Sequence, residues 1–204
     1  GAHVSSLPEQ TLAEFPSFDI GVVNEGEYTT IDIIDAVKNN TALHDIPGIV
    51  YRAGNDIIRS PFRPHIQNLD DLPYPAWDLL PPLNTFYKPS PHSCLKQPSS
   101  SLVTSRGCNG TCTFCARPFM GERYRGHSAE YTLEMIDILV KNYGIKDIMF
   151  YDDNFLLDRK RVLRICEGLL RKPYRISWSC LARTEAFPDD FLKLIKSSGC
   201  WQIA

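Results

Sequence analysis

Residues 106–115 read RGCNGTCTFC, and this stretch indicates the fold and the chemistry expected of the chain. Its three cysteines, Cys108, Cys112 and Cys115, have a C-x3-C-x2-C spacing in a loop rich in Gly, Asn and Thr. Thiolates placed so close along a chain can converge on one metal centre. A closed structural zinc site takes four protein ligands, and an iron–sulfur cube has four irons. Three cysteines would therefore leave one metal position open, and an open position is where chemistry takes place.

Length and composition are those of an ordinary globular protein. The chain has 204 residues, of which 43% are hydrophobic and 23% charged, with a formal net charge of −2. This charge, without any arginine-rich tract, argues against a nucleic-acid partner. No apolar run approaches the roughly 18–20 residues that span a bilayer, and the N-terminus lacks a signal-peptide pattern. Seven cysteines without even spacing do not suggest a disulfide framework, so we expect a reducing cytoplasm.

The first sixty residues predict part of an α/β unit. Residues 18–23 form a short apolar run that is typical of a buried strand. A helix should follow, with Thr29 or Thr30 as its N-cap. Its apolar side would consist of Ile31, Ile34, Ala36 and Val37. Residues 48–60 predict a hairpin around Gly54. Because one strand and one helix cannot bury a core, we expect the chain to begin within a domain.

Residues 61–98 hold nine of the fifteen prolines, so no regular structure is expected there. Apolar side chains such as Leu72, Trp77 and Phe86 lie between the prolines, whereas a free linker would be polar. An extended segment that lies on a domain surface fits this composition better than a flexible tether. We therefore place a domain boundary in this segment.

From residue 100 the pattern alternates between strands and helices. Strands are expected at residues 101–105, 147–151 and 175–181, and from Cys200 onward. Helices are expected to begin at the caps Ser128, Asp158 and Pro188. This alternation predicts parallel pairing through right-handed crossovers. Function lies at the strand C-termini in such a fold, so the cysteine loop and the residues that follow the next two strands should face one another.

The cysteine spacing, the strand before it, the aromatic Phe114 and the βα units after it together resemble the radical S-adenosylmethionine enzymes. The resemblance covers residues 100–204 as the N-terminal half of a partial barrel. It implies a 4Fe–4S cluster on Cys108, Cys112 and Cys115, with S-adenosylmethionine on the open iron. One electron would cleave the sulfonium bond, and a 5′-deoxyadenosyl radical would abstract hydrogen from a small-molecule substrate. An electron donor such as flavodoxin or ferredoxin is implied as a partner.

The same resemblance implies further contacts to S-adenosylmethionine, and it assigns no catalytic residue. The family usually has a Gly-Gly-Glu-like segment after the second strand, and Asp152, Asp153 and Asn154 stand there in this chain. Arg183 lies where relatives place a polar contact to the ribose or carboxylate, and Phe114 would pack near the adenine. The alternatives are a strand-end turn or helix cap at residues 152–154, a surface arginine and an aromatic residue of the core.

The N-terminal half resembles the cobalamin-dependent members of this family. Residues 1–60 resemble the C-terminal part of a Rossmann-like cobalamin-binding domain with a hairpin, and residues 61–99 resemble its proline-rich connector. This order implies cobalamin against the open face of the barrel. Methyl transfer to a carbon or phosphorus centre is the reaction it implies first, with cyclisation, oxidation and methylthiolation as alternatives. The 204-residue chain itself is expected to be an inactive fragment.

A different class of function is a zinc-binding interaction module. Its fourth ligand would come from His92, Cys94 or His127. Reactive thiols without a metal are a third possibility. The cysteines outside the loop are interpreted as buried or incidental, because a free cysteine packs as a small hydrophobic residue. They are Cys94, Cys166, Cys180 and Cys200.

Overall fold

A computed structural model of the chain describes residues 1–87, 94–116, 121–184 and 186–204. By their contacts these residues form two compact units. The first unit comprises Gly1–Gln67 and Asn109–Glu122, and the second comprises Asn68–Cys108 and Arg123–Ala204. In the part of the chain that is described, no helix is both long enough and apolar enough to cross a membrane.

The first unit is built on a three-stranded antiparallel sheet. Its strands are β1 (Ile20–Val22), β2 (Ile49–Ala53) and β3 (Asp56–Arg59), in that order across the sheet. The predicted hairpin is confirmed as β2 and β3, and Gly54 has a φ of 64° in its turn. The unit also contains helices α1 (Ala2–Ser6), α2 (Pro8–Glu14) and α3 (Glu27–Asn39), and a 3-10 turn at Leu43–Asp45. Neither α1 nor α2 was expected from the sequence pattern.

Helix α3 begins earlier, and buries a different side, than the sequence predicts. It begins at Glu27, so both predicted caps lie inside the helix, and Thr29 is buried. Ala36 lies in a buried cluster with Ile49, and Ile33 packs against that cluster. The other three residues of the predicted apolar side are exposed: Ile31, Ile34 and Val37. The prediction was wrong because the helical period allows a second stripe through Thr29, Ile33 and Ala36.

The proline-rich segment has more local structure than the sequence predicts. From Asn68 onward it belongs to the second unit, with 3-10 turns at Leu69–Asp71 and Trp77–Leu79 and a short helix α4 (Leu83–Phe86). Trp77 and Leu83 are buried in the main cluster of this unit. The expectation of no regular structure was therefore wrong in part. Burial of apolar side chains between the prolines is the physical reason why these short turns are held in place.

A four-stranded parallel sheet forms the centre of the second unit. Its strands, in spatial order, are β4 (Ser99–Leu102), β7 (Asp147–Phe150), β8 (Ser177–Cys180) and β9 (Cys200–Ile203). A short antiparallel pair, β5 (Ser105–Arg106) and β6 (Arg125–Gly126), lies between β4 and β7 in the sequence. The connecting helices are α5 (Ala129–Tyr143), α6 (Arg159–Arg171) and α7 (Asp189–Ser197). The predicted alternation and the parallel pairing are confirmed.

The helix ends of the second unit follow the predicted capping. The side chain of Ser128 accepts a hydrogen bond from the N–H of Tyr131 (3.0 Å), and that of Asp158 accepts one from the N–H of Arg161 (3.0 Å). Gly144 ends α5 in the left-handed conformation. The amphipathic helices and the sheet share one core, which includes Ile136, Leu139, Ile148, Phe150, Val162, Ile165 and Trp178.

Candidate functional site

The segments that follow β4, β7 and β8 lie side by side at the C-terminal edge of the sheet. The N–H of Tyr151, just after β7, donates to the carbonyl of Leu102 at the end of β4 (2.7 Å). The N–H of Phe155 donates to the carbonyl of Leu181, just after β8 (3.0 Å). These contacts confirm that the strand ends meet, as the βα pattern predicts.

The antiparallel strands β5 and β6 flank the cysteine loop, one before it and one after it in the sequence. Ser105 faces Gly126 and Arg106 faces Arg125 in this antiparallel ladder. Gly107 follows with a φ of 76°, a conformation that is unfavourable for residues with a side chain. The first cysteine therefore lies two residues beyond a backbone ladder, at the C-terminal edge of the parallel sheet.

The three loop cysteines have the donor chemistry of a cluster site. All are in the reduced thiol form; Cys108 and Cys112 are half-buried and Cys115 is exposed. The N–H of Cys115 donates to the carbonyl of Cys112 (3.2 Å). Within the described ranges, no three His, Cys, Asp or Glu side chains are gathered as a metal site. The chain thus supplies three accessible thiols that suit iron, and the structure does not gather them around one point.

Asp152 is fully buried directly after β7. Its carboxylate accepts hydrogen bonds from the N–H (2.8 Å) and the hydroxyl (2.9 Å) of Thr104, and from the hydroxyl of Ser105 (2.6 Å). Burial raises the pKa of this carboxyl group, while the Ser105 hydrogen bond and the charge of Arg161 oppose that effect. Asp152 therefore joins the end of β7 to the residues that lead into the cysteine loop.

Arg161, in the first turn of α6, is a buried cation that was not expected from the sequence. Its guanidinium donates to the carbonyls of His127 (2.6 Å) and Thr104 (3.1 Å), and to the hydroxyl of Thr132 (3.1 Å). A sequence signal was present, because Arg161 stands four residues before Ile165 on the buried side of α6. A charged residue on such a stripe is almost always paired inside the protein.

The other predicted contacts to S-adenosylmethionine differ in their accessibility. Asp153 is exposed and Asn154 is buried, both directly after β7. Arg183 is exposed three residues after β8. Phe114 is 91% exposed and belongs to the segment that groups with the first unit. Binding of the cofactor by these residues and by Asp152 stays a prediction.

Two of the alternative zinc ligands have other contacts. Nδ1 of His127 lies 3.0 Å from Oδ1 of Asp70, and its ring stacks on Tyr131 with centroids 4.3 Å apart. Burial lowers the pKa of His127. The Sγ of Cys94 accepts a hydrogen bond from the side-chain amide of Gln97 (3.0 Å). His92, the third alternative, lies outside the described residues.

A parallel βα sheet whose first strand leads into a C-x3-C-x2-C loop defines a class of protein. The sequence profile of the Radical SAM superfamily matches residues 102–204, and the chain belongs to this superfamily. The cofactors of this superfamily are a 4Fe–4S cluster and S-adenosylmethionine. The expected family and fold class are confirmed.

Particular relatives match both units. An uncharacterized methyltransferase of Pyrococcus horikoshii is 38% identical over 201 residues, which are 98% of this chain and 42% of that protein. An anaerobic magnesium-protoporphyrin IX monomethyl ester cyclase of Rubrivivax gelatinosus is 26% identical over 205 residues, 98% of this chain and 36% of that protein. The chain therefore spans about two fifths of the length of these relatives.

A solved structure has the same fold. It is that of OxsB, a cobalamin-dependent S-adenosylmethionine radical enzyme with aqua-cobalamin and S-adenosylmethionine bound. The TM-score is 0.77 at 28% sequence identity, over 98% of this chain and 29% of that one. The likeness includes the N-terminal residues before the superfamily match as well as the parallel sheet.

Proposed function

We propose that this chain is part of an enzyme that cleaves S-adenosylmethionine reductively, with Cys108, Cys112 and Cys115 as the ligands of the cluster. The observation that carries the proposal is the cysteine loop, which begins at the C-terminal edge of a parallel sheet in a chain of this superfamily. When bound, the cluster supplies the electron that breaks the sulfonium bond. The residues of the chain would bind and orient the cofactors and exclude water.

The strand-end edge supplies charges that suit S-adenosylmethionine. The exposed carboxylate of Asp153 complements the ammonium group of the methionine moiety, and the exposed guanidinium of Arg183 complements its carboxylate or a ribose hydroxyl. Asp152 and Asn154, which are buried on either side of Asp153, are the other proposed contacts of S-adenosylmethionine in this segment. Phe114 is the proposed contact of the adenine ring.

Cobalamin is the proposed third cofactor, and methyl transfer to a carbon or phosphorus centre of a small molecule is the proposed reaction. Residues 1–60 would be the C-terminal part of the cobalamin-binding domain, residues 61–99 the connector, and residues 100–204 the first half of the barrel. The likeness to OxsB over 98% of the chain supports cobalamin. The methyltransferase name of the Pyrococcus relative supports the reaction.

A second candidate is a different outcome of the same radical chemistry, such as cyclisation. The Rubrivivax relative, which is named a cyclase and matches 98% of this chain, favours it. S-adenosylmethionine labelled in its methyl group separates the two. Label in the product supports methyl transfer, and 5′-deoxyadenosine with an unlabelled product supports the second candidate.

The cytoplasm is the proposed compartment, and flavodoxin or ferredoxin the proposed electron donor. All seven cysteines are in the reduced thiol form, which fits a reducing compartment. Reduction of the cluster by purified flavodoxin, followed by its electron paramagnetic resonance (EPR) signal, tests the donor. An unchanged spectrum with flavodoxin and with ferredoxin, but a signal with dithionite, would exclude both donors.

Anaerobic reconstitution of the full-length protein with iron and sulfide tests the cluster site. We expect about four irons and four sulfides per chain. Cys112→Ala should lose most of this iron, whereas the matched control Cys94→Ala should retain it because Cys94 lies outside the loop motif. Zinc without iron and sulfide, or loss of the metal in Cys94→Ala, would contradict the proposal and support the zinc module.

A further inference from the structure

The residues that lead into the cysteine loop are held by one buried carboxylate. Thr104 and Ser105 stand four and three residues before the first cysteine of the loop, and together they give Asp152 three hydrogen bonds. Asp152 is fully buried. These three donors satisfy most of the hydrogen-bond acceptor capacity of its carboxylate. The entry to the loop is thereby joined to the end of β7.

The residues that leave the loop are held to the entry by one buried guanidinium. Arg161 donates to the carbonyl of His127 (2.6 Å) on the exit side and to the carbonyl of Thr104 (3.1 Å) on the entry side. The Nη1 atom of Arg161 lies 3.4 Å from the hydroxyl oxygen of Tyr124. The N–H of His127 also donates to the carbonyl of Thr104 (2.9 Å). A single side chain thus spans both ends of the loop.

The two charges belong to one network. Arg161 and Asp152 are joined through Thr104, and the positive charge of Arg161 lowers the free energy of the ionised carboxylate. If either charge is removed, the other stays buried and uncompensated, which is costly. Lysine cannot replace Arg161, because a single ammonium group lacks the planar fork that reaches several acceptors at once.

We propose that Asp152 and Arg161 are positioning residues of the cluster site, which hold the two ends of the cysteine loop together and so place Cys108 at the edge of the parallel sheet. This inference rests on the proposed cluster ligands. Residues that orient metal ligands without touching the metal themselves still affect the metal affinity and the spectra of the site.

The test uses the full-length protein, reconstituted anaerobically with iron and sulfide. Arg161→Lys and Asp152→Asn change the network with little change in volume. Arg164→Lys is the matched control, because Arg164 is exposed on the same helix. The readouts are the rate of iron loss to a chelator, the EPR spectrum of the reduced cluster with and without S-adenosylmethionine, and the midpoint of thermal unfolding.

We expect Arg161→Lys and Asp152→Asn to lose iron about 10-fold or more faster than the wild type, with altered EPR lines, at temperatures where they are folded. Arg164→Lys should match the wild type in every readout. Variants that only lower the unfolding midpoint, with wild-type iron loss and spectra, would overturn the inference. A wild-type protein that binds no iron would instead overturn the proposed function itself.

A milder variant keeps the test decisive if the first two do not fold. Thr104→Val removes one of the three donors to Asp152 and keeps the volume and the backbone N–H. We expect faster iron loss in the same direction as for Asp152→Asn, but smaller. Iron loss and spectra identical to those of the wild type would count against the inference.

Discussion

The ionisation of one carboxylate, that of Asp137 on α5, makes the stability of the second unit depend on pH. It accepts hydrogen bonds from the ammonium groups of Lys141 and Lys172 (2.9 Å each) and from the hydroxyl of Tyr174. Burial raises the pKa of Asp137, but these three donors outweigh it and lower the pKa from 3.8 to about 2. The carboxylate therefore stabilises the folded state only while it is ionised.

We expect Asp137 to contribute about 2 kcal/mol to the free energy of unfolding at neutral pH. Because its pKa is lowered in the folded state, this contribution is present above pH 4 or so and is lost as the pH falls through about 2. Asp137→Asn should therefore destabilise the protein more at pH 7 than at pH 3. Urea unfolding at both pH values measures the difference.

The control for this prediction is Asp190→Asn. The side chain of Asp190 is 96% exposed and faces Lys193 at 3.6 Å, so its removal should change the unfolding free energy by less than about 0.5 kcal/mol. A loss of stability in Asp137→Asn that is the same at pH 7 and pH 3 would show that the three donors do not act through the ionised carboxylate.

At the scale of elements, the proline-rich segment is attached to the start of α5 by Asp70. The carboxylate of Asp70 accepts a hydrogen bond from the N–H of Ser128 (3.0 Å) and contacts His127. The hydroxyl of Tyr131 donates to the carbonyl of Leu72 (2.8 Å). A carboxylate at the N-terminus of a helix is favoured both by free N–H groups and by the helix dipole.

We expect Asp70→Ala to lower the free energy of unfolding by about 1–2 kcal/mol, because the N–H of Ser128 and the ring of His127 lose their acceptor. Asp71→Ala, one residue further on, is the control, since Asp71 is exposed and its carboxylate accepts a hydrogen bond from the side-chain amide of Asn68. Equal losses for the two variants in urea unfolding would contradict the attachment role of Asp70.

Gly199, between α7 and β9, is a position where the backbone requires glycine. Its φ is 113°, and a Cβ there would lie 2.2 Å from the carbonyl oxygen of Ile176. We expect Gly199→Ala to cost about 3 kcal/mol or more, because the strand must shift to relieve the contact. Gly144→Ala is the matched control: its φ of 67° is also positive, but no atom lies within 4 Å of the added Cβ.

Gly144→Ala should cost only about 1 kcal/mol, the usual penalty for a side chain in the left-handed conformation. Thermal or urea unfolding of both variants separates the two effects. If Gly199→Ala cost no more than Gly144→Ala, the contact with Ile176 would not be the reason for glycine at this position.

At the scale of the whole molecule, the two units differ in the size of their cores. The main cluster of the second unit joins the parallel sheet to three helices, whereas the first unit has two small clusters around Ile49 and Leu12. Elements with fewer buried apolar contacts open more readily. The two units should therefore differ in their protection against hydrogen exchange.

We expect backbone amides of β1 and β2 to exchange at least about 10-fold faster than those of β7 and β8 under native conditions. Hydrogen-exchange mass spectrometry of peptides that cover residues 20–53 and 147–180 measures this directly. Equal protection of the two sheets would contradict the difference in core size as the cause.

The features that sequence predicted well depend on neighbouring residues. Ser128 and Asp158 cap their helices as predicted, because capping uses residues within one turn. The βα alternation predicted the parallel sheet, because each strand and each helix is indicated by the periodicity of its own residues. Helix α2 shows the limit of this approach: Pro8 at its first position was a usable signal, but the helix is too short for a clear apolar period.

The features that sequence did not predict depend on distant residues. The spacing of the loop cysteines pointed to a cluster site, but the role of Arg161 arises from Thr104, His127 and Thr132, which lie up to 57 residues away. Similarly, the buried side of α3 was decided by the sheet that it packs against. Residues 152–154 were placed correctly at a strand end, whereas the complete burial of Asp152 depends on the hydroxyl groups that surround it.

The order of the parallel strands has a consequence for how the protein is made. In the second unit, β4, β7, β8 and β9 stand side by side in the order in which they occur in the chain. As the polypeptide leaves the ribosome, each new strand can dock onto the edge that the previous one has just formed. No strand has to insert between two that are already paired, so the sheet can grow in one direction during synthesis.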